Sequence, residues 1–480
     1  MRIFLIEWDA ENKEFIDVVT TLKQRGHEIL YWTYGDNKEV SSECKKNFSD
    51  TIFHHRQDAM AGKPAAPFVE NEFLPVGEDV IEKLYRTESI LQTMKHYEKM
   101  PLTTIEKKHL FYEYLRYWRG LLQLLKPEVI IFNVWPHSSY SFITYAVAKF
   151  LGIKTLMFEA VRVDGRLILI DDYEKGSQDL KDEISRNKNK IIKIDELSDI
   201  TRRYYQSHLK KNSDVKPPDF KFLYRNFAGI GLLKKRTELI LSSSKDFSIF
   251  KKFFLYLSKI FGDNLHKEYS KLTVEPDLNK KFIYFGLHYQ PECSTSPLGG
   301  LFVDQILAIQ ILSASLPSDW LIYVKEHPWQ WLTGGINFTN FRYKGYYNPI
   351  AQLKNVRLIS TETDSIVLIE KAQVVATISG TGGWEGLMRL KPVIVFGYPW
   401  YRDCVGVFKV NSVDTCKKAF AQIVSVFEIK QQEITNFLYS LDQVSCRGYL
   451  EELYREQAQI SVEENSKNLT RALLNELDKK

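Results

Sequence analysis

Short apolar runs alternate with segments of helical spacing along both halves of the chain, and this alternation predicts its secondary structure. In the first half, residues 1–7 and 129–132 are typical of buried strands. Residues 138–151 have helical spacing and end at Gly152, and residues 154–158 form another apolar run. A strand, a helix and a strand in close succession indicate a right-handed crossover in a parallel sheet.

The same alternation resumes near residue 282 and describes a second sheet with helices on its faces. Strands are predicted at 282–287, 321–324, 356–359, 374–378 and 393–396, and helices at 301–316, 365–371 and 384–390. The stretch that precedes this region carries basic pairs and little strand pattern, which favours a mostly helical insertion.

The predicted fold is therefore of the α/β class, with two doubly wound Rossmann-type domains that face a cleft. We expect an N-terminal α/β domain at 1–175, a helical insertion and linker at 176–278, a C-terminal α/β domain at 279–445 and a C-terminal helix at 446–480. Such folds bind ligands outside the carboxyl ends of their strands. The architecture is the one called GT-B, although the pattern alone also fits a two-domain binding protein or an epimerase.

Composition narrows the class of protein. A length of 480 residues is too large for one ordinary core, and a net charge of +5 is too small to indicate a nucleic-acid partner. The five cysteines are scattered and odd in number, so they suggest neither a disulfide framework nor a zinc site. The N-terminus lacks the apolar segment of a secretion signal, and we expect a cytoplasmic protein.

The strongest local pattern is the sequence SGTGGWEG, residues 379–386, which follows a predicted buried strand. Its glycines let the backbone approach a ligand, and a helix that starts near Trp384 offers unpaired N–H groups with partial positive charge. The pattern predicts a phosphate-binding turn without a P-loop lysine; a purely structural strand-to-helix turn is the alternative. Glu385, expected in the first helical turn, either favours the helix dipole or binds a ribose hydroxyl.

A second segment, KEHP, ends another predicted strand of the same sheet. Pro328 pushes the preceding residue towards an extended conformation, so His327 is held in a defined direction. Because parallel strands end at one edge of the sheet, His327 could donate a hydrogen bond to a phosphate at the glycine turn, with Lys325 close by. A structural histidine is the alternative.

Further polar residues follow other predicted strands. His288, Gln290 and Glu292 lie in the segment after residues 282–287, which is otherwise a long linking turn. In the N-terminal domain, His137 and Glu159 each follow a predicted strand and are expected to point into the cleft. A transferase needs a carboxylate or an imidazole there as base or nucleophile, so the catalytic candidates are Glu159, His137 and Glu292.

Three segments, LHYQPECSTSPLGGLFVDQ, YVKEHPWQW and SGTGGWEGLMRLKPVIVFG, resemble the capsule and surface polysaccharide biosynthesis family. This family includes bacterial 3-deoxy-manno-octulosonate (Kdo) transferases with Gln-Pro and His-Pro motifs. The likeness covers about residues 282–408 and, more weakly, 129–175. The insertion has no counterpart that we can name.

The resemblance implies a GT-B glycosyltransferase with an acceptor-side N-terminal domain and a nucleotide-sugar-binding C-terminal domain. It implies a nucleotide-sugar donor, with a CMP-linked 2-keto sugar acid favoured, and a glycan or lipid-linked acceptor. A divalent-metal DxD pattern is not evident in the sequence, and we expect neither a metal nor a cofactor. The resemblance places Gln290 in the Gln-Pro motif, His327 and Pro328 in the His-Pro motif, and Ser379 and Thr381 at the phosphate-binding position. Together with the residues argued above, the donor-binding candidates are Gln290, Lys325, His327, Pro328, Ser379, Gly380, Thr381, Gly382, Gly383 and Glu385. An epimerase of the same architecture and a non-catalytic polysaccharide export or assembly factor are the alternatives.

Residues 246–261, DFSIFKKFFLYLSKIF, carry aromatic residues at helical spacing beside three lysines. One interpretation is a helix packed on the domain core. The other is an interfacial helix that holds the enzyme at the inner face of the cytoplasmic membrane, where lipid-linked acceptors reside.

Overall fold

The computed structural model describes residues 1–35, 40–70, 72–98, 100–209, 264–331, 341–425 and 427–479. The segment 246–261 discussed above lies outside these residues. None of the helices in the described part of the chain is long and apolar enough to cross a membrane.

The strands are short, mostly buried and rich in aliphatic and aromatic residues. In chain order they are β1 (Arg2–Ile6), β2 (Glu28–Tyr34), β3 (Ile52–His55), β4 (Val129–Val134), β5 (Lys154–Ala160), β6 (Arg166–Ile170), β7 (Thr273–Val274), β8 (Phe282–Gly286), β9 (Leu321–Lys325), β10 (Val356–Ile359), β11 (Val374–Thr377), β12 (Val393–Val395), β13 (Val407–Lys409) and β14 (Cys446–Arg447).

The helices follow the strands in the alternation that the sequence predicts. They are α1 (Lys13–Gln24), α2 (Ser42–Asn47), α3 (Arg56–Met60), α4 (Glu78–Lys83), α5 (Tyr85–Leu91), α6 (Lys95–Glu98), α7 (Thr104–Leu125), α8 (Ser139–Leu151), α9 (Gln178–Asn187), α10 (Asp199–Leu209), α11 (Leu265–Leu272), α12 (Gln305–Ser315), α13 (Asn348–Ala351), α14 (Ser365–Lys371), α15 (Thr381–Met388), α16 (Val413–Val424), α17 (Gln431–Val444), α18 (Arg455–Ala458) and α19 (Val462–Leu477).

The chain divides into two compact units. The first contains Met1–Arg202, Ser296–Val303 and Thr435–Lys480, and the second contains Arg203–Thr295 and Asp304–Ile434. The segment expected as an insertion is therefore shared, because its residues up to Arg202 belong to the first unit. We expected the C-terminal helical part to begin at residue 446, whereas in the structure the chain returns to the first unit at Thr435.

In the first unit the strand order is β14-β6-β5-β4-β1-β2-β3. The pairs among β1 to β5 are parallel, while β6 and β14 add antiparallel pairs at one edge. Successive strands extend in one direction from β1 to β3 and then in the other from β4, so the order reverses between β1 and β4. This arrangement is a doubly wound sheet.

The core of the first unit lies between this sheet and two helices distant in sequence. Phe15, Val18 and Leu22 of α1 and Leu469 and Leu473 of α19 are buried together against the strands. Full burial of each such side chain is worth about 1.5–3 kcal/mol, which accounts for the docking of the C-terminal helix. The C-terminal helix α19 is thus part of the core of the first unit.

In the second unit the strand order is β13-β12-β11-β8-β9-β10-β7, and the pairs are parallel. The order reverses between β8 and β11. Both described sheets thus have the same doubly wound plan, and the prediction of two Rossmann-type α/β domains is confirmed.

Candidate active site

The candidate site of the second unit lies at the reversal point of its sheet. Loops that follow β8, β9 and β11 leave the carboxyl edge there, and doubly wound sheets bind ligands at this point because the adjacent loops diverge. These are the loops that carry the three sequence segments described above. The three segments therefore lie at the edge of the sheet that the sequence pattern predicted.

His288 connects the β8 loop to the end of β11. Its backbone N–H donates to Gln305 Oε1 at 2.7 Å, and its Nε2 lies 3.0 Å from Thr377 Oγ1. The backbone N–H of Ile378 donates to the same Nε2 at 3.2 Å, so the proton of the neutral ring is on Nδ1. Burial lowers the pKa of His288 to about 3, with further lowering by His327 and Arg342. His288 is therefore a neutral N–H donor.

His327 is a second neutral histidine, in the β9 loop. The backbone N–H of Trp329 donates to His327 Nδ1 at 3.2 Å, so the ring proton is on Nε2. Burial lowers the pKa of His327 to about 4, in spite of the opposing effect of Glu326. Within the described residues, no hydrogen bond to this Nε2 is found. Its N–H can donate to a ligand, as the sequence analysis proposed.

The turn after β11 is shaped by these neighbours. A Cβ on Gly380 would overlap the His288 ring, and a Cβ on Gly383 would overlap the Tyr401 hydroxyl. That hydroxyl donates to the Gly380 carbonyl at 2.5 Å. Gly382 is different, since a Cβ there meets no atom within 4 Å. Two glycines are thus required by packing, whereas the third borders open space at the helix N-terminus.

The hydroxyl groups of the turn have different surroundings. Ser379 Oγ donates to the Ser294 carbonyl at 2.5 Å, and Thr381 is exposed at the first position of α15. The helix begins at Thr381, three residues before the predicted start. Glu385 therefore lies in the second turn, and the expectation that it sits in the first turn near the positive end of the dipole is wrong. Burial raises the pKa of the Tyr401 hydroxyl, and the charge of Glu385 raises it further.

A buried ionic network holds the β8 and β9 loops together. Arg342 forms two hydrogen bonds to Glu326, of 2.7 Å from Nε and 3.1 Å from Nη2, and both side chains have no exposed surface. Arg342 Nη1 also donates to Gln290 Oε1 at 2.7 Å, and Nη2 to the His288 carbonyl at 3.1 Å. Burial opposes the charge of Arg342, but Glu326 more than compensates and raises its pKa.

Two more side chains complete this network. Gln305 Nε2 donates to Gln290 Oε1 at 2.8 Å, and Tyr347 donates its hydroxyl to Glu326 Oε2 at 2.7 Å. Sequence reasoning missed Arg342 and Tyr347, which lie outside the quoted segments, and gave no role to Gln305, which ends the first of those segments. Gln290 is 2% exposed and its amide oxygen is taken by the network. Its observed contacts position the loop.

The remaining candidates of the second unit are two donor-binding residues, Lys325 and Pro328, and the catalytic candidate Glu292. Lys325 is buried, and its amine donates to the Thr363 carbonyl and to Ser365 Oγ, the latter at 2.8 Å. Burial lowers the pKa of this amine. Pro328 begins a short 3₁₀ turn, Pro328–Trp331, and is exposed. Glu292 is exposed and accepts a hydrogen bond from Ser294 Oγ at 2.9 Å, on the loop that contacts Ser379.

The two candidates of the first unit are placed differently from each other. His137 follows β4 and precedes α8, at the carboxyl edge, as predicted. Glu159 was expected just after a strand that ends at 158. It lies instead within β5, paired with Ile168, and is 2% exposed. The antiparallel partner β6 extends β5 beyond the apolar run, and for this reason the predicted end of the strand was wrong.

Comparison with protein families gives one match. The sequence model of the family described as "Capsule polysaccharide biosynthesis protein" matches residues 302–432. This segment belongs to that capsule family. It contains the His-Pro loop, Arg342 and the glycine turn, so the resemblance noted from the sequence is confirmed for this part of the chain. None of the curated proteins compared with the chain matches it.

Solved structures similar to this chain include two types of enzyme. The UDP-GlcNAc 2-epimerase of Neisseria meningitidis, bound to UDP-GlcNAc, is 12% identical, with 99% of this chain and 100% of that chain covered and a TM-score of 0.22. The β-Kdo 2,4-transferase KpsC of Thermosulfurimonas dismutans is 14% identical, with 67% and 82% covered and a TM-score of 0.30. With scores this low, the fold assignment rests on the observed strand order alone.

Proposed function

We propose that this protein is a nucleotide-sugar-dependent glycosyltransferase of capsule or surface polysaccharide biosynthesis. The family match supports the pathway, since its description names capsule polysaccharide biosynthesis. The neighbours named above, a Kdo transferase and a UDP-GlcNAc 2-epimerase, act on sugars, but their similarity is too low to assign a reaction. The reaction is therefore argued from the site.

The observation that carries the proposal is the set of neutral donors at the reversal point of the second sheet. His327 presents Nε2–H, His288 presents Nδ1–H beside Gly380, and α15 adds its first backbone N–H groups. N–H donors and the positive end of a helix dipole suit a phosphate. Charge that develops on the leaving phosphate during transfer would be stabilised by these same groups.

The buried network explains how the donors keep their geometry. Glu326 accepts a hydrogen bond from the His327 backbone N–H at 2.7 Å, and Arg342 joins Glu326 to the His288 carbonyl. Both histidine loops are thus attached to one buried ion pair. Preorganised donors need no rearrangement as phosphate charge develops, which favours catalysis over simple binding.

The proposed donor is a CMP-linked 2-keto sugar acid, and the proposed acceptor is a glycan or a lipid-linked glycan. This choice follows the family resemblance of the Gln-Pro and His-Pro segments. The test is incubation of the purified protein with CMP-Kdo and with UDP-GlcNAc, each with and without a glycan acceptor, and mass analysis of the products. A glycan lengthened by one Kdo residue supports the proposal.

Two results would contradict it. Conversion of UDP-GlcNAc to its epimer without an acceptor would make the protein an epimerase. Binding of a glycan without turnover of either nucleotide sugar would indicate an export or assembly factor. His327→Ala serves as the control in each reaction, because a true transferase should lose turnover in that variant.

A further inference from the structure

The first unit has a cluster of ionisable side chains at the reversal point of its own sheet. Glu7 follows β1 and His137 follows β4, the two strands between which the order reverses. Arg56 Nη2 lies 3.9 Å from Glu7 Oε1. His96 interacts electrostatically with this cluster. Burial lowers its pKa most, the charges of Arg56, Lys95 and His137 lower it further, and Glu7 raises it. A doubly wound sheet binds ligands at this position.

Glu7 is held in an unusual conformation. Its φ of 60° lies in the left-handed region, which is uncommon for a residue other than glycine and is concentrated at functional sites. Its backbone N–H donates to Thr33 Oγ1 at 2.7 Å, and Trp8 beside it donates its indole N–H to the Ile131 carbonyl at 3.1 Å. The side chain is 6% exposed, and neither carboxylate oxygen has a hydrogen-bond partner among the described residues.

The contacts of His137 determine which nitrogen carries its proton. His137 Nδ1 lies 3.4 Å from Glu7 Oε2 and 3.3 Å from the Trp135 carbonyl oxygen. Both neighbours can only accept, so the neutral ring carries its proton on Nδ1 and has a lone pair on Nε2. The side chain is 28% exposed, which leaves the ring accessible. His137 therefore has the tautomer of a proton acceptor, whereas His327 has that of a donor.

We propose that His137 Nε2 takes the proton of the acceptor hydroxyl during glycosyl transfer, and that Glu7 is the positioning residue whose charge favours this tautomer beside the Trp135 carbonyl, which accepts from Nδ1. The inference rests on the proposed glycosyltransferase function. In the step, the acceptor oxygen bonds to the anomeric carbon, and the bond from that carbon to the nucleotide phosphate oxygen breaks with its electron pair on the phosphate. The hydroxyl proton moves to Nε2, and Glu7 balances the imidazolium charge.

Kinetics of three variants test the proposal. His137→Ala should lower kcat for transfer by ~10²–10⁴, the usual contribution of a general base. Glu7→Gln should lower kcat by at least ~10², because its amide can donate to Nδ1 and reverse the tautomer. Glu14→Gln is the matched control, since Glu14 is a second buried carboxylate of this unit, near Tyr449, and should keep wild-type kcat. The calorimetric affinity for the nucleotide should be unchanged in all three.

Nitrogen NMR of isotope-labelled histidine measures which ring nitrogen is protonated and does not depend on enzymatic turnover. The signal that is absent in His137→Ala is assigned to His137. We expect Nδ1 of His137 to be protonated in the wild type and the balance to shift towards Nε2 in Glu7→Gln. If Glu7→Gln does not fold, Glu7→Asp keeps the charge but withdraws it by one methylene, and should keep the tautomer with a partial loss of kcat.

Three results would overturn the proposal. The first is an Nε2-protonated His137 in the wild type, and the second is a kcat for Glu7→Gln equal to that of Glu14→Gln. Each can occur while the nucleotide still binds and the sugar is still transferred, so the proposed function would survive. The third is a wild type that neither binds nor uses a nucleotide sugar, which would remove the proposed function and the catalytic role of His137 together.

Discussion

Gly382 separates the effect of a substitution on folding from its effect on ligand binding. It is the second residue of α15, and an added Cβ meets no protein atom within 4 Å. Gly382→Ala should therefore raise the free energy of unfolding by up to about 0.5–1 kcal/mol, since glycine is the poorer helix former. Gly382→Val should fill the same space with a branched side chain and leave the fold intact.

The same substitutions should weaken nucleotide binding, although they do not weaken folding. If a phosphate approaches the first N–H groups of α15, the new side chain occupies the space that the phosphate needs. We expect Gly382→Val to raise the Kd for the nucleotide by at least about 10-fold, which corresponds to about 1.4 kcal/mol of binding free energy. Gly382→Ala should have a smaller effect of the same sign.

Gly380→Ala is the contrasting variant. Its Cβ would overlap the His288 ring, so the protein itself must rearrange. Such overpacking costs about 1–3 kcal/mol of unfolding free energy. Urea unfolding and calorimetric titration of all three variants should thus show reduced stability for Gly380→Ala, and reduced affinity without reduced stability for Gly382→Val. Wild-type affinity in Gly382→Val would refute the idea that a ligand occupies this space.

Three further predictions concern the histidines and the ion pair. His327→Ala should lower kcat by about 10²–10³ with the fold intact, because one donor to developing phosphate charge is lost; steady-state kinetics measures this, and wild-type turnover would contradict it. Arg342→Met leaves Glu326 buried without its partner and should reduce the free energy of unfolding in urea by about 3–5 kcal/mol; a loss within the error of the measurement would show that the pair is not needed. Folding lowers the pKa values of His288 and His327 from 6.5 to about 3 and about 4. As the pH falls, these histidines are therefore protonated in the unfolded state before they are protonated in the folded state. Stability should therefore decline as pH falls from 6.5 towards 4, by up to about 1.4 kcal/mol per pH unit for each histidine. His288→Gln should decline less steeply in urea titrations over this range, and parallel curves would contradict the assignment.

The periodic part of the structure could be predicted from the sequence because it is local. Apolar runs of strand length separated by helical spacing identify buried parallel strands, and the segments that follow them identify the carboxyl edge. For this reason His137, His327 and the turn at 379–383 were found at the correct ends of their strands. Glu159 was misplaced because β6, its antiparallel partner, lengthens β5 by pairing and not by hydrophobicity.

The supporting network could not be predicted, since its members come from distant parts of the chain. Arg342 reaches Gln290, 52 residues earlier, and Gln305 reaches the same amide from α12. Nothing in the local sequence of Arg342 indicates that it pairs with Glu326. The division into units has the same origin: residues 296–303 belong to the first unit, where Ser296 Oγ donates to the Ile90 carbonyl at 3.2 Å, although they lie in the loop after β8.

Glu7 lies at the end of a segment that the sequence predicts as a strand, but its contact with His137 cannot be predicted from the sequence. It ends an apolar run and is expected as the last residue of a strand. In the structure β1 stops at Ile6, and a left-handed turn at Glu7 brings its carboxylate to His137. Only the backbone conformation distinguishes this carboxylate from an ordinary strand-terminal one.

The most direct test of the central claim is thermal unfolding of the wild-type protein with CMP, CDP, UDP and GDP. A nucleotide at 100 times its Kd should add about 2.7 kcal/mol to the free energy of unfolding. We predict that CMP or CDP raises the Tm, and that in Gly382→Val the free energy added by the same nucleotide concentration falls to about 1.4 kcal/mol or less. Stabilisation by UDP alone would contradict the proposed donor class. No stabilisation by any nucleotide, or an increase in Gly382→Val equal to that of the wild type, would contradict the assignment of the site itself.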